Sequence, residues 1–205
     1  MCSTKLKNTT DALTEARMSV RNVVLLVVVA VLAGCSTTYF TYKGETFASR
    51  DEALAAIQAD IDLVLNGTEA RPAPVANRAR VVIPSIEAIL ERGLRVGGSS
   101  EHRDYVSNAI QKQIQLIPTV IKKRNIFKRV DVEETNSPDL FEPTPGVITV
   151  YRYLSVDGKS GSWYYASQST PRAPLHWDMG ESDLVNRYRY FLDSIEALAA
   201  SEAGK

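Results

Sequence analysis

Residues 147–154 are Val-Ile-Thr-Val-Tyr-Arg-Tyr-Leu, and residues 162–167 are Ser-Trp-Tyr-Tyr-Ala-Ser. Both stretches are rich in the β-branched and aromatic residues that favour strands. They flank the turn-forming segment Asp157-Gly158-Lys159-Ser160-Gly161. The pattern predicts a β-hairpin whose loop is slightly longer than the tightest ones.

Two further strand candidates and one long helix precede this hairpin. Residues 80–84 predict a short buried strand that ends at Pro84, and residues 127–133 alternate as a half-buried strand. Between them, Glu101 to Arg124 predicts a helix that Pro118 should kink or split. A strand, a crossover helix, a second strand and a hairpin predict an α+β fold. We expect one small mixed sheet covered by two or three helices.

Helices are also expected on either side of this region. Ser49 and Glu52 form a capping box that opens a helix, which Asn66-Gly67 closes. The last helix is predicted from Ser182 to Ala200, with apolar residues in register along one side. We therefore expect a single domain over residues 49–200, which is long enough for one hydrophobic core.

The composition excludes several classes of protein. Of the 205 residues, 44% are apolar and 23% are charged, which is ordinary for a globular chain. Lys and Arg together number 24, as do Asp and Glu, so no basic field indicates nucleic-acid binding. With only Cys2 and Cys35 present, neither a disulfide framework nor a multi-cysteine metal site is expected.

Residues 23–33 form an uninterrupted apolar run of eleven, with Arg17 and Arg21 just ahead of it. A membrane-spanning helix needs about 20 apolar residues, so this run fits the hydrophobic part of a signal peptide better. The arginines supply the positive flank that stays in the cytoplasm. The run leads into Leu32-Ala33-Gly34-Cys35.

That four-residue ending resembles the lipobox of bacterial lipoproteins. The resemblance implies a signal peptide over residues 1–34, cleavage between Gly34 and Cys35, and diacylglycerol on the Cys35 sulfur. Met18 is an alternative start, which would also discard Cys2. Because Ser36 rather than aspartate follows the cysteine, the resemblance to enteric-type lipoproteins implies the inner leaflet of the outer membrane, facing the periplasm. Two acyl chains or more anchor a protein durably.

Residues 35–48 are expected to be a short tether or a hairpin. In residues 39–47, Lys43-Gly44 lies between alternating aromatic residues, which favours a tight hairpin and a folded body that begins close to the membrane. The alternative is that these aromatic side chains dip into the lipid headgroups. The chain from Cys35 onward carries a net charge of about −2, because residues 1–34 hold four basic and two acidic residues.

The candidates for catalysis are few. His176 and Asp178, with Glu181 and Asp183 nearby, could ligate a metal, but one histidine in a turn-like, proline-rich stretch favours a surface or capping role. The sequence shows no nucleophile elbow. We expect no catalysis and no cofactor. The alternative is an envelope hydrolase or a metal-dependent enzyme centred on His176 and Asp178.

Two groups of residues are candidates for binding a partner. Lys122, Lys123 and Arg124, followed by Lys128 and Arg129, could contact anionic lipid or the acidic stems of peptidoglycan, although cations also simply suit a helix C-terminus. Trp163, Tyr164, Tyr165 and Trp177 could form a protein-binding patch, or could pack the core of the hairpin. The sequence predicts an interaction or assembly module with an envelope protein or peptidoglycan as partner.

Overall fold

The protein, represented by a computed structural model, is described over residues 38–91, 99–137, 144–154, 160–166, 173–178 and 184–204. The predicted signal peptide, with Gly34 and Cys35, lies outside the described residues. The strands of the described part are β1 (Phe40–Tyr42), β2 (Glu45–Phe47), β3 (Ala76–Pro84), β4 (Phe127–Thr135), β5 (Val147–Leu154), β6 (Ser160–Tyr165) and β7 (Ala173–Asp178). The helices are α1 (Arg50–Asn66), α2 (Ile86–Glu91), α3 (Ser100–Arg124) and α4 (Leu184–Ala203).

Five strands form one mixed sheet in the order β4-β3-β5-β6-β7. β3 is parallel to both β4 and β5, whereas β6 is antiparallel to β5 and to β7. Parallel neighbours cannot be joined by a tight turn, so β3 and β4 need the crossover that α2 and α3 provide. The hairpin predicted from the sequence is β5 and β6. The α+β fold with one small mixed sheet is confirmed.

A hydrophobic core joins α1, α3 and α4 to one face of this sheet. The alternate residues Ala79, Val81 and Ile83 of β3 point into it, because successive strand residues face opposite sides. Each long helix buries one apolar stripe in this core: α3 and α4 contact strands of the sheet, and α1 packs on α3 and α4. The predicted cover of two or three helices is also confirmed. The stripes include Ile57, Ile61 and Val64 of α1, Ile110, Ile114, Ile117 and Ile121 of α3, and Tyr188, Phe191 and Ile195 of α4.

The N-terminus of α1 is fixed by the capping residues that the sequence predicts. The Ser49 hydroxyl accepts a hydrogen bond from the Glu52 amide at 3.2 Å. The Glu52 carboxylate accepts one from the Ala48 amide at 3.1 Å, one residue earlier than in the standard capping box. At the other end, the Gly67 amide donates to the Leu63 carbonyl at 3.0 Å.

α3 continues through Pro118 as one helix of 25 residues, so the proline does not split it. Pro118 has no amide to donate within the helix, which removes one hydrogen bond. The turn is held instead by packing, because Ile114, Ile117 and Ile121 around the proline are all buried. Asn125 ends the helix in the left-handed conformation with φ 58°.

Two elements differ from the sequence-based expectation. Residues 173–178, expected to be turn-like, form β7 at the edge of the sheet. Pro174 is compatible with that place because an edge strand has one side whose amides make no ladder bonds. The short α2 was not predicted, because six residues are too few to show a helical period. The Ser85 hydroxyl caps it by accepting from the Ala88 amide at 3.1 Å.

Candidate functional site

The segment that follows the predicted lipidation site is a small hairpin of β1 and β2. It pairs Phe40 with Phe47 and Tyr42 with Glu45 around a two-residue turn. Both turn residues have positive φ, 52° at Lys43 and 78° at Gly44, which is the backbone of a type I′ turn. Glycine adopts this conformation without strain, so the Lys-Gly pair suits the turn.

Alternation along β1 divides its aromatic residues between two environments. Phe40 and Tyr42 are 2% and 4% exposed and belong to the hydrophobic core. Tyr39, by contrast, is 63% exposed, and Thr41 also faces outward. Of this segment's aromatic side chains, Phe40 and Tyr42 therefore fasten the hairpin to the domain, while Tyr39 remains on the surface.

Contacts with α3 hold β1 in place. The Tyr105 hydroxyl donates a hydrogen bond to the Thr41 carbonyl at 2.5 Å. The rings of Phe40 and Tyr105 pack edge to face, with centroids 5.3 Å apart and an interplanar angle of 82°. This is one of the arrangements that aromatic pairs prefer. Burial also raises the pKa of the Tyr105 hydroxyl, so it stays a proton donor.

A polar network fastens the turn of the hairpin to both neighbouring helices. The Lys43 ammonium lies 2.7 Å from the Asp60 carboxylate of α1. The Tyr42 hydroxyl accepts a hydrogen bond from Gln113 of α3 at 3.4 Å. Burial, and next the hydrogen bond to Asp60, raise the pKa of Tyr42 far above its ordinary value. The hairpin is therefore part of the folded domain.

His176 lies on β7, where its cross-strand partner is Ser162 of β6. The Ser162 hydroxyl is 2.8 Å from Nδ1 of His176, and the His176 carbonyl accepts from Arg187 at 2.9 Å. Ser162 is half-buried and His176 is exposed. The earlier expectation of a turn is thus corrected, because the histidine belongs to a strand and bonds across it.

Within the described residues, this serine–histidine pair supplies two of the three groups of a hydrolase triad. In a catalytic triad, one ring nitrogen faces the serine and the other faces a carboxylate. The side chain of Asp178 lies outside the described part of the chain, as do Glu181 and Asp183. Among the residues whose placement is described, no three His, Cys, Asp or Glu side chains converge to hold a metal.

The three basic residues at the end of α3 point to different neighbours. The Arg124 guanidinium bonds the carboxylates of Asp193 at 2.8 Å and Glu196 at 3.2 Å, both on α4. Arg71 also pairs with Glu196. The Lys123 ammonium donates to the Leu65 carbonyl near the end of α1. Lys122 is exposed, and within the described residues its side chain makes no hydrogen bond or ion pair. Arg124 and Lys123 thus join helices.

The other two basic residues, Lys128 and Arg129, lie on the edge strand β4 and are exposed. Arg129 bonds Asp131 at 2.7 Å, and Arg78 of β3 bonds the same carboxylate at 2.5 Å. The hydrogen bond from Arg129, with a further one from Arg78, lowers the pKa of Asp131. Charged side chains of both signs therefore lie along this edge, which discourages pairing with another strand.

The aromatic residues predicted as a binding patch lie mostly inside the protein. Trp163 is 1% exposed and belongs to the core, and Tyr164 is buried as well. Tyr165 is buried too, and its hydroxyl donates to the Glu202 carboxylate at 2.6 Å. Trp163 therefore stabilises the fold and presents no surface to a partner. The side chain of Trp177 lies outside the described residues.

A cavity of about 250 Å³ opens at the carboxyl ends of the parallel strands β3 and β4. Such strand ends are where ligands of α/β sheets bind. The cavity lies below the usual range for drug-sized ligands, about 300–1,000 Å³, so it suits a small polar group. The sequence did not reveal this cavity, because the residues that line it come from separate segments of the chain. Of these, the sequence identified only the end of a strand at Pro84. The lining residues are Pro84, Ser85, Ile86, Glu87, Gln111, Ile114, Gln115 and Glu134.

Comparison with known proteins gives no relative. No protein-family model matches this chain, and neither do curated proteins or solved structures. Within the described ranges, no helix is both long enough and apolar enough to cross a membrane.

Proposed function

We propose that this chain is a bacterial envelope lipoprotein, anchored through Cys35, whose periplasmic domain is a non-catalytic interaction module. The observation that carries the proposal is the position of the folded domain. Its first residue is Tyr39, only four residues after the cysteine of the lipobox-like sequence. A chain that leaves the membrane at Cys35 would enter the domain almost at once.

The short connection limits how far the domain can lie from its anchor. Four residues of extended chain span at most about 14 Å. Two acyl chains or more on Cys35 would hold the chain durably, since each buried methylene contributes about 0.8 kcal/mol. The module would therefore work at the membrane surface. Ser36 supports the outer membrane as its location, with the domain facing the periplasm and an envelope protein or peptidoglycan as its partner.

Labelling cells with a palmitate analogue tests the anchor. We expect the full chain to take up the label, and Cys35→Ser to lose it and keep its signal peptide. Cys2→Ser is the matched control, because it removes the other thiol of the chain and should be labelled and processed normally. Label that persists in Cys35→Ser would refute the proposal. Separating the two membranes by density then tests the outer-membrane location.

A second candidate function is an envelope hydrolase, and the hydrogen bond between Ser162 and His176 is the observation that favours it. A fluorophosphonate probe, which reacts with activated serines, distinguishes the two functions. The interaction module predicts no labelling at position 162. Labelling that disappears in Ser162→Ala and His176→Ala, yet persists in the control Ser194→Ala, would establish the hydrolase instead.

A further inference from the structure

The exposed side chain of Tyr39 lies close in the sequence to the proposed membrane anchor, Cys35. Surface tyrosines are common, and a second one, Tyr190 of α4, is 69% exposed. Tyr39 differs because only Ser36, Thr37 and Thr38 separate it from Cys35. When the acyl chains of Cys35 lie in the hydrocarbon core, the Tyr39 backbone must remain within about 14 Å of the Cys35 backbone.

The reach of about 14 Å exceeds the thickness of the lipid headgroup layer. The headgroup layer on each side of a bilayer is about 5–8 Å thick, so the tether allows the Tyr39 ring to reach it. Tyrosine is enriched in this layer, because its ring is apolar and its hydroxyl can remain hydrated.

The hairpin makes the position of Tyr39 a property of the whole domain. The next residue, Phe40, is packed into the core against Tyr105, and the Thr41 carbonyl is bonded by the Tyr105 hydroxyl. The Tyr39 backbone therefore cannot move far without the domain. A ring held in the headgroup layer would fix which surface of the domain faces the lipid.

The β1–β2 hairpin carries too little positive charge to bind anionic lipid electrostatically. From Tyr39 to Phe47 the charged side chains are Lys43 and Glu45, one of each sign. The Lys43 ammonium is also paired with Asp60. Electrostatic binding to anionic lipid requires a cluster of several basic residues. The aromatic ring of Tyr39 is the group in this segment that suits the interface.

We propose that Tyr39 inserts into the lipid headgroup layer and, through the β1–β2 hairpin, orients the domain on the membrane. This inference rests on the proposed anchoring at Cys35. It makes the hairpin a second contact with the membrane, beside the acyl chains, and keeps the surface that carries Tyr39 and Thr41 turned toward the lipid.

The test uses the full acylated chain, with Cys2→Ser, reconstituted in phosphatidylcholine vesicles that contain headgroup-spin-labelled lipid. A fluorophore is attached at Thr41→Cys, which lies on the exposed side of β1, or at Tyr190→Cys as the control site. We expect quenching at position 41 to exceed quenching at position 190 by about twofold or more. Tyr39→Ser should lower the quenching at position 41 to the control value, and Tyr39→Trp should preserve it.

The outcomes separate this inference from the proposed function. Equal quenching at positions 41 and 190 in a chain that carries palmitate would overturn the inference and leave the lipoprotein proposal intact. Absence of palmitate on Cys35 would overturn both. Adding phosphatidylglycerol should leave the quenching unchanged. Quenching that appears only with this anionic lipid would show that charge holds the hairpin, and would also overturn the inference.

Discussion

Replacing Phe40 with alanine tests whether the hairpin after the tether belongs to the folded core. The Phe40 side chain is almost fully buried and packs edge to face on Tyr105. Removing a buried phenylalanine costs about 3–5 kcal/mol, and the lost aromatic pair is included in that range. Because β1 has only three residues and pairs with the equally short β2, we expect the lower end, about 3 kcal/mol.

Urea unfolding of the full chain in detergent, followed by tryptophan fluorescence, measures this loss. Trp163 is fully buried, so its emission should report the unfolding of the core. With a urea dependence of about 2 kcal/mol per molar, a loss of 3 kcal/mol lowers the midpoint by about 1.5 M. Tyr39→Ala is the matched control on the neighbouring exposed residue, with an expected change within about 0.5 kcal/mol. Equal midpoints for the two variants would refute the reasoning, because Phe40 would then contribute nothing to the core.

Two further predictions concern the helices and the tyrosines. Glu196→Ala removes the carboxylate that pairs with Arg71 and Arg124, and should cost about 1–2 kcal/mol in urea unfolding, since the Glu196 side chain is only 18% exposed. Asp193→Ala, at a 54% exposed side chain, should cost about 0.5 kcal/mol or less, and equal losses would contradict the proposed network. Burial raises the pKa values of Tyr42, Tyr165 and Tyr188 above that of an unfolded tyrosine, about 10. Above pH ~10 these tyrosines therefore lose their protons more readily in the unfolded chain, and the free energy of unfolding falls as the pH rises; below pH ~10 it is unaffected by them. Unfolding midpoints that stay constant from pH 9 to about 11 would contradict this sign.

Hydrophobic periodicity predicted the long elements because their burial follows from position along a regular helix or strand. The core stripe of α4 contains Leu184, Tyr188, Phe191 and Ile195, as expected from a helical period. Periodicity could not identify β7, since its Pro174 resembles a turn signal and only its place at the sheet edge makes a strand possible. Likewise, Pro118 suggested a break in α3, but the helix continues because the residues around the proline are buried in the core.

The sequence also could not predict which side of the β1–β2 hairpin faces the core. Residues 39, 40 and 42 are all aromatic, so both sides of β1 carry a candidate for the core. Contacts with α3, which is distant in the sequence, hold one side inward: Phe40 packs on Tyr105, and the Tyr42 hydroxyl accepts a hydrogen bond from Gln113. Tyr39 is left outside. Strand alternation defines the two alternatives, and tertiary packing selects one.

The basic run at the end of α3 shows why adjacent charges need not form one binding surface. Consecutive helical residues point about 100° apart, so three of them cover roughly 200° around the axis. Lys123 therefore reaches α1, Arg124 reaches α4, and Lys122 faces solvent. Two of the three cations already have structural partners, and moving them to an anionic ligand would first require breaking contacts between helices. Any basic surface for peptidoglycan must combine Lys122 with cations of other elements, such as Lys128 on β4.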